Sequence, residues 1–600
     1  MNWPSLQSLW HDTQKVILRF PLQVLVTLLA NLICFSLVEY GDGSFHQVEL
    51  IKSMLLCNLA LVLLLSADLF AEVNNFNPVK KWGLRLVCLG ICIVLYFTLH
   101  PYLYIADWYR IGLFAFSFHL LVAFAPFINN GNVNGFWEYN KVLFLRILTA
   151  GIYAGVLFSG LAVALVAINS LFNVKIDSNV YLRLLSVVGI SFTTLFFLAG
   201  VPVDFKRINE QQHHYPKGLK VFTQYVLIPL LVIYFAILLV YEVKILLNWQ
   251  LPKGMVSTLI LGYAVFGVLS LLLIYPIKEQ EGNGWIRLFS RWFYLMMIPL
   301  VVLLLLAVWK RVGNYGITES RYILVILALW LSIITGYFLI SRKDNIKIIP
   351  ISLCVLALLA IYGPQSAFSV SRYSQSLRLK KIINGKDAYA LKEKPAIIRY
   401  LVLNHGLESL QPFTTADLHA VSQHIEKKTG SLKRFAYQRE NDLLDTAFAM
   451  FKVNKSVAGS RSSNVLFVAE EEGVVGVKGF DYVTAIDSYA QKQENTLNGA
   501  KLSIEKLTGN KLQIKIANDP SLIIDPTPKV DSIRNAYLNG KIVQQQDNRN
   551  LNLPGDGLRI NVNSKGHALT LVLTELTLST DSGDETDDYY YKGYLLVKIK

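Results

Sequence analysis

Three polar side chains lie in stretches otherwise apolar enough for a membrane. They are His119 in "FAFSFHLLVAFAPF", Asp68 in the run from Ser53 to Ala71, and Asn31 in the run from Phe20 to Val38. An ionisable group in hydrocarbon is costly unless it meets a partner or a wet cavity, so His119 and Asp68 are functional candidates by default, with Asn31 a polar but uncharged third. A neutral imidazole at His119 could relay protons or hydrogen-bond a neighbouring helix, and pinning helices together is the commoner use. Asp68 sits close enough to one end of its run to snorkel to the interface. Glu242 and Lys244 are likewise near a span end. Asn31 and Asn58 are uncharged, and helix pairing explains them without a substrate.

Outside the spans the candidates have plain alternatives. The stretch "WIRLFSRWFY" from Trp285 reads as an interfacial belt, with Arg287 and Arg291 drawn to anionic lipid, and a regulatory lipid site is its sharper reading. The loop "GNYGITESRY" from Gly313 could line a cavity; its simpler role is helix initiation, with Thr318 as cap and Glu319 in the first turn. His419 and His424 are about 140° apart around a helix and make no metal pair on one face, and His405 is too distant in sequence to judge. The acidic stretch 580–588 does not follow the spacing of a calcium-binding EF-hand loop and reads as a solvated hairpin tip. No phosphate loop, dinucleotide fingerprint, zinc-protease or nucleophile-elbow motif is present. Glu39 and Asp42 could stand in for the acidic pair of a membrane glycosyltransferase, but their loop is short. The sequence therefore offers no catalytic, cofactor or metal residue, and no cofactor is expected.

The elements that would hold these residues are membrane helices. Hydrophobic residues make up 53% of the chain and charged residues only 16%, with a mean hydropathy of +0.41, which excludes a string of soluble domains. Residues 1–363 carry 26 Lys and Arg with 16 Asp and Glu, whereas the remaining 237 carry 31 and 26, so only the second part has a soluble composition. Spanning about 30 Å of hydrocarbon takes roughly 20 apolar residues. Ten runs free of Asp, Glu, Lys and Arg qualify, the last being Ile348 to Ser371, and an eleventh is broken only by Asp68. Loop cations are retained on the cytoplasmic side. With the N-terminus inside, 17 of the 26 flanking cations fall within and nine outside, which puts everything after Ser371 on the outer face. The first apolar run is long and lacks a small-residue cleavage site, so it reads as a retained anchor. All five cysteines lie in the spans, and the exported part must fold without disulfides.

After the last span the periodicity changes. "KPAIIRYLVLNHG" and "TTADLHAVSQHIEKKTG" have helical start and stop signals, and Tyr437 to Val453 is a third helical segment. From Asn464 the pattern alternates with period two in seven stretches, separated by turn signals such as Asn539-Gly540, which predicts an antiparallel sandwich or open barrel.

Several stretches are familiar as a set: "LPKGMVSTLILGYAVFGVLSLLLIYPIKE" from Leu251, "WIRLFSRWFYLMMIPL" from Trp285, "WKRVGNYGITESRYILVILALWL" from Trp309, "NIKIIPISLCVLALLAIYGPQSAFSVSRYSQ" from Asn345 and "RYLVLNHGLESL" from Arg399. They resemble the bacterial multi-spanning proteins grouped as domain of unknown function family 4153, most strongly over residues 220–410. The resemblance implies an inner-membrane protein with a long water-soluble tail and carries over no site residue.

The expected molecule is an α-helical polytopic membrane protein of about eleven transmembrane helices, followed by a soluble α+β tail ending in an antiparallel β-sandwich-like domain. Its expected parts are a transmembrane domain over 1–371, a helical connector over 372–455 and a β-rich domain over 456–600. The expected location is the cell inner membrane, with a cytoplasmic N-terminus and a periplasmic C-terminal domain. Expected partners are the lipid bilayer and an envelope protein or glycan, with no nucleic acid. Scaffold or sensor is the first functional expectation and transporter or flippase the alternative; an enzyme comes last.

Overall fold

The computed structural model describes residues 6–599 except 41–44, 129–131, 211–214, 216, 249–254, 279–283, 342–344, 384–387, 430–432, 454–463, 470–474, 489–491, 498–499, 508–510, 517–520, 539–550, 554–557, 564–566 and 580–588. Asp42, the acidic stretch 580–588, the flanking cations Lys253, Arg342 and Lys343, and the turn signal Asn539-Gly540 lie outside the described residues. The chain divides into two compact units: Met1–Ile382 with Tyr400–Leu444, and Ile383–Arg399 with Asp445–Lys600.

The first unit is a bundle of membrane helices. A short helix α1 (Leu6–Arg19) leads into α2 (Pro21–Tyr40), α3 (Phe45–Val73), α4 (Pro78–Thr98), α5 (Ile105–Phe124) and the 40-residue α6 (Val133–Phe172). There follow α7 (Ser178–Ala199), α8 (Gly218–Ile245), α9 (Ser257–Ile277), α10 (Gly284–Tyr315) and α11 (Glu319–Ile340). From α2 to α11, ten helices among the described residues are long and apolar enough to cross a membrane, and the protein is a multi-pass membrane protein.

Local chemistry sets the helix ends. Asn77 caps α4 by accepting from the Lys80 amide at 2.9 Å, with Pro78 in the first turn, where its missing N–H costs nothing. Asn132 caps α6 through the Gly135 amide at 2.6 Å, and Asn173, at φ +53°, closes its far end in the left-handed conformation. Pro126 and Pro276 sit in single 3₁₀ turns that end α5 and α9, and Pro299 lies inside α10.

The run from Ile348 to Ser371 is not one helix. It forms α12 (Ile348–Leu359), a turn with Gly363 at φ +99° followed by Pro364, and then α13 (Ala367–Ile382). Twelve residues rise only about 18 Å, so α12 alone cannot cross the hydrocarbon. Its contacts nevertheless trace a passage. Trp330 on α11 donates to Ser352 Oγ at 2.8 Å, the Cys354 thiol meets the Ser117 carbonyl on α5 at 3.4 Å, and the Tyr322 hydroxyl donates to the Gln365 carbonyl at 2.5 Å. The segment therefore runs antiparallel to both α5 and α11 and returns the chain to the end where α11 begins. Residues 400–444 fall in the same compact unit as the membrane helices.

In the second unit, β1 (Asn464–Ala469), β2 (Tyr482–Asp487), β7 (Leu551–Leu553), β8 (Arg559–Asn563), β9 (His567–Ser579) and β10 (Tyr589–Ile599) form a sheet of order β2-β10-β9-β1-β7, with β8 also pairing β9. The strands β3 (Lys492–Leu497), β4 (Ala500–Lys506), β5 (Leu512–Ile516) and β6 (Leu522–Ile524) form a second sheet in sequence order. Among the described residues all pairs are antiparallel except β1 with β7. Both sheets and a helix over Thr527–Leu538 share one core that includes Phe467, Leu571 and Leu595 from the first sheet, Leu502 and Ile514 from the second, and Val530 from the helix. The arrangement is sandwich-like, as the alternation predicts, and not a barrel.

Candidate functional site

At the start of α11, Thr318 occupies the cap position with extended backbone, yet its hydroxyl makes no capping bond. Glu319 is only 2% exposed and turns away from its own helix. Its Oε1 accepts from Ser371 Oγ on α13 at 3.1 Å and lies 3.2 Å from His405 Nε2. Its Oε2 accepts from the Tyr400 hydroxyl and from Asn404 Nδ2, the latter at 3.2 Å. A buried carboxylate is tolerated only when its lone pairs are satisfied, and here four side chains from two other elements do so. The Tyr400 hydroxyl is pushed well above its ordinary range by burial and by the Glu319 charge, so it stays a donor.

The loop before Glu319 is fixed from the same side. Gln375 Nε2 donates to the Tyr315 and Ile317 carbonyls at 3.1 and 3.0 Å, and the Ile317 amide donates to Ser374 Oγ at 2.9 Å. A second attachment lies nearby in the fold. Arg439 donates to Glu426 Oε1 at 2.7 Å and to the Leu103 carbonyl at 3.4 Å, and its guanidinium lies 5.9 Å from the Tyr104 ring. Tyr104 is itself pushed up by burial and by the Glu408 charge. Residues 400–444 are thus tied to the loops at one end of the bundle.

Ser371, His405 and Glu319 have the residue types of a hydrolytic triad but not its geometry. Ser371 Oγ and Glu319 Oε1 both approach the same nitrogen, Nε2, at 3.3 and 3.2 Å, whereas a relay needs the carboxylate on Nδ1. The arrangement can hold a buried negative charge and join helices; it does not activate a nucleophile.

The sequence candidates are dispersed. Asp68 does not snorkel: it is 1% exposed and accepts from Arg85 Nε at 2.8 Å and Gln23 Nε2 at 2.9 Å, while Arg85 also donates to the Arg19 carbonyl at 3.1 Å. Beside it Glu72 joins Arg19 at 2.8 Å and Lys81 at 3.2 Å. This cluster joins α1 to α4 near the start of α4. Asn31 donates to Ser191 on α7, inside a π-helical stretch over Val187–Phe192. His119 is exposed on the bundle surface and its Nδ1 lies 2.7 Å from the Ala115 carbonyl of its own helix, so it pins no neighbour. Glu39 pairs with Arg183, and His419 lies beside Gln423 and Glu408. Among the described residues no group of three His, Cys, Asp or Glu could hold a metal ion.

Glu319 was the residue sequence reasoning underrated. Its partners lie 52 to 86 positions away, and the one local signal was an acidic residue at the head of an apolar run.

Residues 24–399 match the model of a family described as "Domain of unknown function (DUF4153)". An uncharacterized protein of Pasteurella multocida (strain Pm70) is 26% identical over 387 residues, which are 63% of this chain and 62% of that protein. The chain thus covers less than two thirds of that relative's length. No solved structure matches. The family match includes Glu319 and Ser371 and ends one residue before Tyr400.

Proposed function

The chain belongs to the family described as domain of unknown function 4153, and on that premise we propose that it is an envelope scaffold or sensor whose C-terminal β domain engages a protein or glycan outside the cytoplasm. The single observation that carries this is the Glu319 cluster. A carboxylate on a membrane helix accepts from Ser371, Tyr400 and Asn404, which makes the connector part of the bundle and suits a protein that transmits or resists force between membrane and tail. The cation asymmetry supports the orientation, with the N-terminus cytoplasmic, the tail periplasmic and the inner membrane as the site.

Transport or flipping is the second reading. Asn31 favours it, because its Oδ1 is buried without a partner among the described residues beside a π-helical stretch, and such stretches often mark functional sites. Complementation separates the two. In cells lacking the protein, the full chain should restore envelope integrity, while a chain ending at residue 455 should not and Glu319→Gln should do so only partly. Full restoration by the shortened chain, with loss on Asn31→Leu, would sink the scaffold reading in favour of transport.

A further inference from the structure

A cleft of about 230 Å³ opens between α9 and α10. Its two main walls have the same helical spacing and opposite chemistry. From α9 come Val268, Leu271, Leu272 and Tyr275; from α10 come Arg287, Ser290, Arg291 and Tyr294. Both sets follow i, i+3, i+4, i+7, so each is one face of a helix. Lys278 adds a third cation, and among the described residues that line the cleft there is no Asp or Glu. Tyr294 stacks on Phe338 of α11 with ring centroids 5.0 Å apart, closing the inner side.

The depth of this cleft is fixed by the helices that form it. Tyr275 and Lys278 stand at the end of α9, Arg287 and Arg291 in the first turns of α10, and Leu339 at the end of α11. All lie where spans meet the interface. Val268 and Leu271 are buried, whereas Arg287 and Arg291 are exposed. The cleft therefore offers cations at headgroup depth and an aliphatic wall running from them toward the bilayer centre. A guanidinium carries five donors in a planar fork, a number and geometry that can serve a protein group and a phosphate together.

We propose that this cleft is a binding site for an anionic phospholipid, with the phosphate between Arg287 and Arg291 and an acyl chain along Val268, Leu271 and Leu272. Phosphate is common to lipid headgroups and to soluble phosphate esters. The apolar wall, which a soluble ester would leave wet, assigns the ligand to lipid.

The test uses the full chain in neutral detergent, titrated with phosphatidylglycerol and with phosphatidylcholine and read by native mass spectrometry. Phosphatidylglycerol should bind preferentially. The double variant Arg287→Gln, Arg291→Gln should weaken it roughly thirty-fold, the factor expected for two interfacial cations. Arg287→Lys with Arg291→Lys should keep most of the affinity. Arg311→Gln, an exposed arginine in the last turns of α10, should change nothing. Val268→Trp should displace the chain and weaken phosphatidylglycerol at least fivefold. Equal losses on Arg311→Gln would mean diffuse attraction and overturn the site. Displacement of the lipid by glycerol 3-phosphate or inorganic phosphate at matched concentration would overturn the lipid in favour of a soluble phosphate.

Discussion

Asp68 and Arg85 form a buried ion pair whose partners are 1% and 5% exposed. Removing one member leaves the other charged and unpaired, which costs about 3–5 kcal/mol, whereas replacing both by apolar residues of similar size is often close to neutral. Asp68→Asn and Arg85→Gln should therefore each lower the melting temperature in detergent sharply, and Asp68→Leu with Arg85→Met should recover most of it. A double variant as unstable as the worse single one would show that Gln23 and the Arg19 carbonyl carry the cluster instead. The sequence marks Asp68 because an acid interrupts an apolar run, but Arg85, just before the run from Leu86, is one of the 17 inner flanking cations and reads as a loop residue. Charge counting cannot see that α4 begins at Pro78, which places Arg85 in its third turn facing α3. His119 shows the converse. Its position in an apolar run marks it as a candidate, but only the fold tells which way the ring faces. Because it faces outward and meets its own helix, both His119→Gln and His119→Leu should leave the melt within about 0.5 kcal/mol of the parent. Tyr400 adds a pH dependence. Its folded-state pKa is raised above the ordinary 10.0, so its contribution is full below that value and is lost as pH rises beyond it. Tyr400→Phe should flatten the alkaline limb of a stability–pH curve and leave the neutral region parallel to the parent.

At the level of elements, the legible signals were those carried by contiguous residues. Apolar runs gave the spans, and period-two alternation gave β1, β4, β5, β8, β9 and β10. The polar strand β3 escaped because "KQENTL" does not alternate; it is held by pairing with β4, as Lys492 with Glu505 and Leu497 with Ala500. Short β6 and β7, three residues each, have no room to show a period. β2 takes up the end of an alternating stretch that closes at Ile486, and its pairing with β10 runs from Tyr482 to Asp487. The break after α12 was legible in Gly363-Pro364 and was masked by the apolar residues on both sides. The turn between α10 and α11 makes the stricter demand. Gly316 has φ +67°, and a Cβ there would lie 2.6 Å from Arg378 Cδ and 2.9 Å from Gln375 Nε2. Left-handed backbone costs a residue with a Cβ about 1–2 kcal/mol, and here the added carbon would also push Gln375 off the Tyr315 and Ile317 carbonyls. Gly316→Ala should thus destabilise the bundle by roughly 2 kcal/mol. A melt unchanged by this substitution would show that the turn relaxes without disturbing Glu319.

For the whole molecule, composition separated a lipid-solvated part from a water-solvated one near residue 363, but it could not say where cooperative units end. Soluble-looking sequence is not the same as an independent fold. Leu401, Val402, Leu410 and Leu418 are buried at 2% exposure or less and belong to the unit that contains the membrane helices, whereas the core of the β domain draws only on residues from Phe467 to Val597. The same segment carries Tyr400, Asn404 and His405, which hold Glu319. Cutting the chain at residue 376 would therefore strip an apolar face of its cover and leave a patch that drives association. A fragment of residues 376–600 should bind detergent or aggregate, while 456–600 should be monomeric, β-rich by far-ultraviolet circular dichroism and cooperative in its melt. In the full chain, a reporter active only outside the cytoplasm should be active when fused after residue 375 and inactive in the loop from Lys206 to Lys220. If 376–600 were monodisperse and 456–600 were not, the connector would belong with the β domain, and the Glu319 cluster would not be what ties residues 400–444 to the bundle.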